Sequence, residues 1–175
     1  KKENFTKPIQ DFFKDMKNWD WKNKYDGVLF FRDFSYLPIS SPKDIDLIIE
    51  QKKQIEFIKK VKERTIKFSL YFNVFKTNKD AFILIFDLNA NNKGRSWAFL
   101  EIRDSITLNN KISLSFKNIK KTYDKNLKIP IPNNDWLLFF NIIQAIRTNN
   151  KDKIKNMNTL SDSDLNSSKK IFNKV

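Results

Sequence analysis

Apolar positions along the chain follow two alternating rhythms. In "PIQDFFKDMKNW" (8–19), Ile9, Phe12, Phe13 and Met16 recur at helical spacing, and Pro8 suits a first turn. "DGVLFFRD" (26–33) is a short continuous apolar run entered through Gly27 and left through Arg32-Asp33, the pattern of a buried strand. A loop punctuated by Pro38, Ser40, Ser41 and Pro42 leads to a second such run, "DIDLIIE" (44–50). Helical spacing returns in "QKKQIEFIKKVKER" (51–64), where Ile55, Ile58 and Val61 form a stripe among Lys and Glu.

Beyond it, "IKFSLYFNVF" (66–75) and "AFILIFDLN" (81–89) predict two strands joined by a polar turn at Thr77–Asp80, and "SWAFLEI" (96–102) predicts another. From 103 to 132 the pattern is less regular, with a short strand expected at "ISLSF" and an extended "KIPIP". Asn133-Asn134-Asp135 supplies a cap for the apolar helix "WLLFFNIIQAIR" (136–147), and two weaker polar helices are expected over 151–175. The order predicts one α/β (α+β) domain over 1–175. Its core, about 24–130, would be a mixed sheet of about 4–6 strands with helices packed to one side, followed by a helical C-terminal annex over about 133–175.

Composition narrows the chemistry. A chain of 175 residues, 40% apolar with 17 Phe, suits one domain with a proper core. No apolar stretch reaches the ~18–20 residues of a membrane span, and no signal-peptide pattern opens the chain. It begins Lys1-Lys2 rather than with Met, from which a piece excised from a larger protein, and hence further partner domains, is expected. There is no Cys and no His, which excludes thiolate nucleophiles, histidine triads and histidine or cysteine metal sites. With only Gly27 and Gly94, neither a Walker A loop nor a G-x-G-x-x-G turn can form. Carboxylates, Lys, Arg, Tyr, Ser and Thr are left, and the metals that carboxylates alone hold are Mg²⁺ or Mn²⁺.

The net charge is +14 and the pI about 9.8. An anionic partner explains this; so does the Lys, Asn, Ile and Phe usage of an AT-rich genome. The charge is spread along the chain rather than gathered into one block, which argues against a dedicated nucleic-acid arm.

Within "DIDL", strand alternation sets Asp44 and Asp46 on one side and Ile45 and Leu47 on the other. Two carboxylates side by side repel, and a cation between them removes that cost. A solvated strand start is the plainer alternative. Trp19 and Trp21 are open to two readings, stacking on a base or sugar ring or anchoring the first helix. Lys117, Lys120, Lys121, Lys125 and Lys128 form either a track for an anionic acceptor or nucleic acid, or a solvated face.

Val28-Leu29-Phe30-Phe31-Arg32-Asp33-Phe34, then Leu37-Pro38, then Asp44-Ile45-Asp46-Leu47-Ile48 together resemble nucleotidyltransferase-like domains of the polymerase-β superfamily. The resemblance is to a branch found in bacterial surface-polysaccharide gene clusters, and it covers roughly 26–104. It implies an Mg²⁺- (or Mn²⁺-) dependent transferase. Such an enzyme takes a phosphate-activated donor (a nucleotide or sugar phosphate) and a glycan hydroxyl acceptor, for capsule or lipopolysaccharide. Its place would be the cytoplasm, at the inner face of the membrane. Asp44 and Asp46 would hold the metal. Asp87, in "IFDLN", would be the third carboxylate, a metal ligand or the base for the acceptor hydroxyl, with Glu101 and Asp104 as substitutes. The Gly-Ser or Gly-Gly turn of typical members is replaced by Arg32-Asp33. Arg32 would therefore meet the phosphates with a guanidinium, joined by Lys93 and Arg95. That departure also keeps open a non-catalytic binding module of the same fold.

Overall fold

The computed structural model describes residues 3–41, 44–77, 80–91, 94–108, 112–148, 166 and 168–171. Its centre is a five-stranded mixed sheet made of β1 (Val28–Arg32), β2 (Ile45–Ile49), β3 (Tyr71–Lys76), β4 (Ala81–Phe86) and β5 (Trp97–Arg103). The spatial order is β1-β2-β5-β4-β3. Only β2 and β5 run parallel; the other neighbours are antiparallel. Two small hairpins follow, β6 (Ser105–Leu108) with β7 (Ile112–Ser115) and β8 (Lys121–Tyr123) with β9 (Pro130–Pro132).

α1 (Lys7–Asp15) and α2 (Gln51–Lys67) cover one face. Ile9, Phe12 and Phe13 of α1 and Phe57 and Val61 of α2 pack with the strand residues Phe30, Ile45, Leu47, Ile83, Ile85 and Leu100 in the main core. The buried stripe of α2 is Gln54, Phe57, Val61 and Thr65. The expected stripe is thus rotated: Phe57 faces the core, Ile58 is only partly buried against it, and Ile55 is 59% exposed.

The second face of the sheet also carries a helix, contrary to the one-sided arrangement expected. α3 (Asn134–Thr148) brings Trp136 and Phe139 into a cluster with Leu29, Phe31 and Ile48 of the sheet. The reason lies in β1 and β2, which are apolar on both faces and need a cover on each. Ile171 joins that cluster; the two helices expected over 151–175 lie almost wholly outside the described residues.

α2 continues to Lys67, so the strand expected from 66 starts only at Tyr71. Ser69, with φ 55°, marks the reversal between them. Among the described residues no helix is long and apolar enough to cross a membrane.

Candidate functional site

A row of side chains crosses the sheet at the level of Asp46. The register pairs Arg32 with Asp46, Asp46 with Glu101, Glu101 with Phe82 and Phe82 with Phe75. Arg32 reaches this row because of an irregularity in β1. Phe30 opposes Leu47, yet Arg32 opposes Asp46, so the register slips by one between them. That bulge leaves Phe31 in the second cluster while also turning Arg32 onto Asp46.

The Arg32 Nε donates to Asp46 Oδ2 at 2.5 Å. The guanidinium lies 5.2 Å from the Phe31 ring centroid. Arg103 donates from Nε to Glu101 Oε1 at 2.8 Å and pairs with it through Nη2 as well. Across the strands the row therefore reads cation, anion, anion, ring, and Arg103, level with Ile48 and two residues along β5, pairs with Glu101 from beside it. Asp46 is 3% exposed. Burial pushes its carboxyl up to about 6, with Arg32 opposing the rise and Glu101 adding to it. A raised carboxylate with named charge partners at a sheet surface is a functional-site signal.

Of the expected carboxylates, Asp44 and Asp46 share β2 and its approach, and Glu101 meets Asp46. Asp44 is half-buried just before the strand, near enough to Arg95 to favour its charge. Asp87 is not brought to this row. β5 stands between β4 and β2, and the Asp87 N–H donates to Ser96 O at 2.7 Å, just before the start of β5. Following Ile85 and Phe86, alternation turns Asp87 to the helix-covered face. It is 4% exposed, and its Oδ1 accepts the Asn89 N–H at 3.0 Å, closing the turn after β4. Asp104 is exposed at the end of β5, accepting from Ser105 Oγ at 2.9 Å.

Of the expected phosphate ligands, Arg32 is in the row and Lys93 lies outside the described residues. Arg95 is half-buried, donating to Ser41 O at 2.8 Å and stacked 3.5 Å over the Trp97 ring. Burial pulls its pKa below the ordinary value, opposed by Asp44 and Glu3. Trp19 and Trp21 are buried, stacked at 5.2 Å, and donate to Asp15 and to Met16 O. They anchor α1. Lys121 pairs with Asp26, while Lys117, Lys120, Lys125 and Lys128 are exposed.

Sequence reasoning ranked Glu101 behind Asp87 and passed over Arg103. "FLEIR" carried the signal: Glu101 and Arg103 alternate with the buried Leu100 and Ile102, so both share the face of Asp46 once β5 is placed beside β2. Among the described residues no three acidic side chains gather as a metal-ligand set. The Asp46–Glu101 pair suits Mg²⁺, which commonly takes one or two carboxylates and completes its shell with phosphate oxygens and water. Compared with family models, with curated proteins and with solved structures, the chain matches none.

Proposed function

We propose that the chain is a metal-dependent transferase domain of nucleotidyltransferase-like fold, with the C-terminal third as its annex. It would move a nucleotidyl, phosphosugar or glycosyl group from a phosphate-activated donor to a hydroxyl acceptor in surface-polysaccharide assembly. The observation that carries this reading is the pairing of the buried Asp46 with the half-buried Glu101, in register on adjacent strands and bordered by Arg32. Glu101 then takes the third-carboxylate role that the resemblance implies for Asp87.

Mg²⁺ or Mn²⁺, when bound, neutralises donor phosphate charge. Asp46 and Glu101 hold it, with Asp44 nearby at the start of β2. Arg32 exchanges Asp46 for the donor phosphates, which a guanidinium grips in bidentate fashion. The acceptor oxygen would bond to the donor centre as the bond to the leaving phosphate breaks with its electron pair, and the hydroxyl proton would pass to water.

Calorimetric titration with Mg²⁺ and CTP, ATP or phosphoribosyl diphosphate tests this. Metal-coupled donor binding that vanishes in Asp46→Asn is expected; donor binding indifferent to both metal and Asp46 sinks it. One observation favours a second reading, a binding module without turnover: both carboxylates already carry an arginine. Salt-sensitive binding to any polyanion, unchanged in Asp46→Asn, selects that module.

A further inference from the structure

Among the described residues, the sheet face bearing Asp46 and Glu101 is covered only in part. α3 and the β6–β7 hairpin pack over β1 and β2 through Leu29, Phe31, Ile48 and Leu114. Among the described residues the second cluster does not extend over β3, β4 and β5, and alternation lines that part of the face with Tyr71, Phe75, Phe82, Phe86, Trp97 and Phe99, with Asn73 and Leu84 as the non-aromatic pair between them. Tyr71 is 49%, Phe75 51% and Trp97 39% exposed. A solvated face of antiparallel strands is ordinarily polar; this one is aromatic.

Its aromatic floor runs directly into the charged row. Phe82 lies opposite Glu101, and Phe99 is its next neighbour on the same side of β5. The Phe82 and Phe99 rings are 5.7 Å apart at an interplanar angle of 32°. Three arginines border the face: Arg32 in the row, Arg103 beside it on β5 paired with Glu101, and Arg95 over Trp97. A second copy is a poor occupant, since two chains at +14 each repel. An apolar protein surface would leave the arginine border unused. A small anion carrying a ring that stacks answers both halves.

We propose that this face is the platform on which the ring of the phosphate-bearing ligand stacks, with Phe82 and Phe99 beneath it and its phosphates over Arg32. The inference rests on the reading of Asp46–Glu101 as the phosphate and metal end. A nucleobase presents a flat ring and a pyranose an apolar face of C–H groups, both of which stack on aromatic side chains, and the arms of the test separate them.

Trp97 is exposed while Trp19, Trp21 and Trp136 are buried, so its emission reports on the platform. The full chain is titrated in Mg²⁺ with ADP, with glucose 1-phosphate and with ring-free pyrophosphate. ADP or glucose 1-phosphate is expected to bind about tenfold tighter than pyrophosphate, the scale of one ring–aromatic stack. Phe82→Leu and Phe99→Leu should erase that advantage and leave pyrophosphate affinity unchanged. Phe75→Ala, at an exposed position opposite Phe82, gives a smaller loss and serves if the leucine variants do not fold.

Ring ligands that bind no tighter than pyrophosphate, or as tightly in all three variants, overturn the platform and leave the metal site standing. A ring advantage that the variants erase but Asp46→Asn does not touch keeps the platform and removes the metal site. No binding of any probe overturns both. Sedimentation showing association of chains that Phe75→Lys abolishes assigns the face to a second copy and overturns the proposal.

Discussion

Asp46 and Glu101 stand opposite each other across the parallel strands β2 and β5, and each has an arginine as its other partner. Like charges so placed repel. Arg32 offsets part of that cost at Asp46, and a bound cation would offset more. A proton is the simplest such cation, and burial already brings Asp46 up to about 6.

That value fixes a sign. Asp46 holds its proton to about pH 6 when folded and to about 3.9 when unfolded. Between those limits the native state binds the extra proton, so this group's contribution to stability falls as pH rises from about 4 to about 6 and is level above. The full effect is ~3 kcal/mol at most. Asp46→Asn should lack the fall and be ~1–3 kcal/mol more stable than the parent above pH 6, as sites held for function often are. Urea unfolding of both proteins across pH 4–8 checks it; a variant no more stable than the parent at pH 7.5 refutes it.

Mg²⁺ should compete with that proton. At pH 7.5 millimolar Mg²⁺ is expected to raise the parent's Tm, and at pH 5 to raise it much less, because Asp46 must first lose its proton. Asp46→Asn and Glu101→Gln should show no shift at either pH. Thermal melts with and without the cation decide the matter, and an equal shift in the variants would place the metal elsewhere.

Arg32 acts in the opposite direction to burial, holding Asp46 down. Arg32→Ala should therefore carry the Asp46 carboxyl above its present value of about 6. At pH 7.5 the loss of a partner to a buried carboxylate costs ~3 kcal/mol. Arg32→Lys restores the charge without the planar guanidinium and should recover part of it. Carboxyl NMR titration reads the shift; an unmoved Asp46 would mean that the ion pair is not formed in solution.

Much of this was legible in the chain, and its failures have physical causes. The stretch 44–50 showed a buried strand opened by carboxylates, and "AFILIF" a core strand, because burial writes itself as apolar runs. Strand adjacency does not. The resemblance pointed to Asp87 as the third carboxylate, a reading that needs β4 beside β2, whereas β5 is the strand inserted there. The bulge that aims Arg32 at Asp46 is likewise a matter of register and leaves no compositional mark. Trp19 and Trp21 left two readings open in sequence because exposure, not residue type, separates an anchor from a stacking platform; Trp97 was the exposed one.

Asp15 ties α1 to α2. Its carboxylate accepts from Arg64 Nε at 2.7 Å, from Lys67 Nζ at 3.3 Å and from Trp19 Nε1 at 3.0 Å. Burial raises its pKa, but these three donors together bring it below the ordinary value. Its contribution is complete above the unfolded value of about 3.9 and is lost as pH falls through the folded one. Asp15→Ala should cost ~2–3 kcal/mol at pH 7, since the Trp19 N–H is left buried without a partner. In Asp15→Ala the acid loss from this group disappears, which denaturation at pH 2–5 would show.

Gly94 supports the site from the other end of β5. Its φ is +111°, and a Cβ there would meet the Asn4 backbone oxygen at 2.7 Å. Backbone cannot swing aside as a side chain can, so Gly94→Ala carries both strain and a clash, ~1–3 kcal/mol together. The loss should be local. The Arg95 N–H donates to Asn4 O at 2.7 Å and the Thr6 N–H to Arg95 O at 3.1 Å, so these two amides should lose hydrogen-exchange protection first. Gly27, at φ +118°, is the control: a Cβ there meets the Glu50 and Lys53 side chains at 3.2 and 3.3 Å, and both can move. Gly27→Ala should therefore cost less than Gly94→Ala and leave Thr6 and Arg95 protected. Equal costs, or equal exchange at those amides, would show that the contact with Asn4 is not what Gly94 is there to allow.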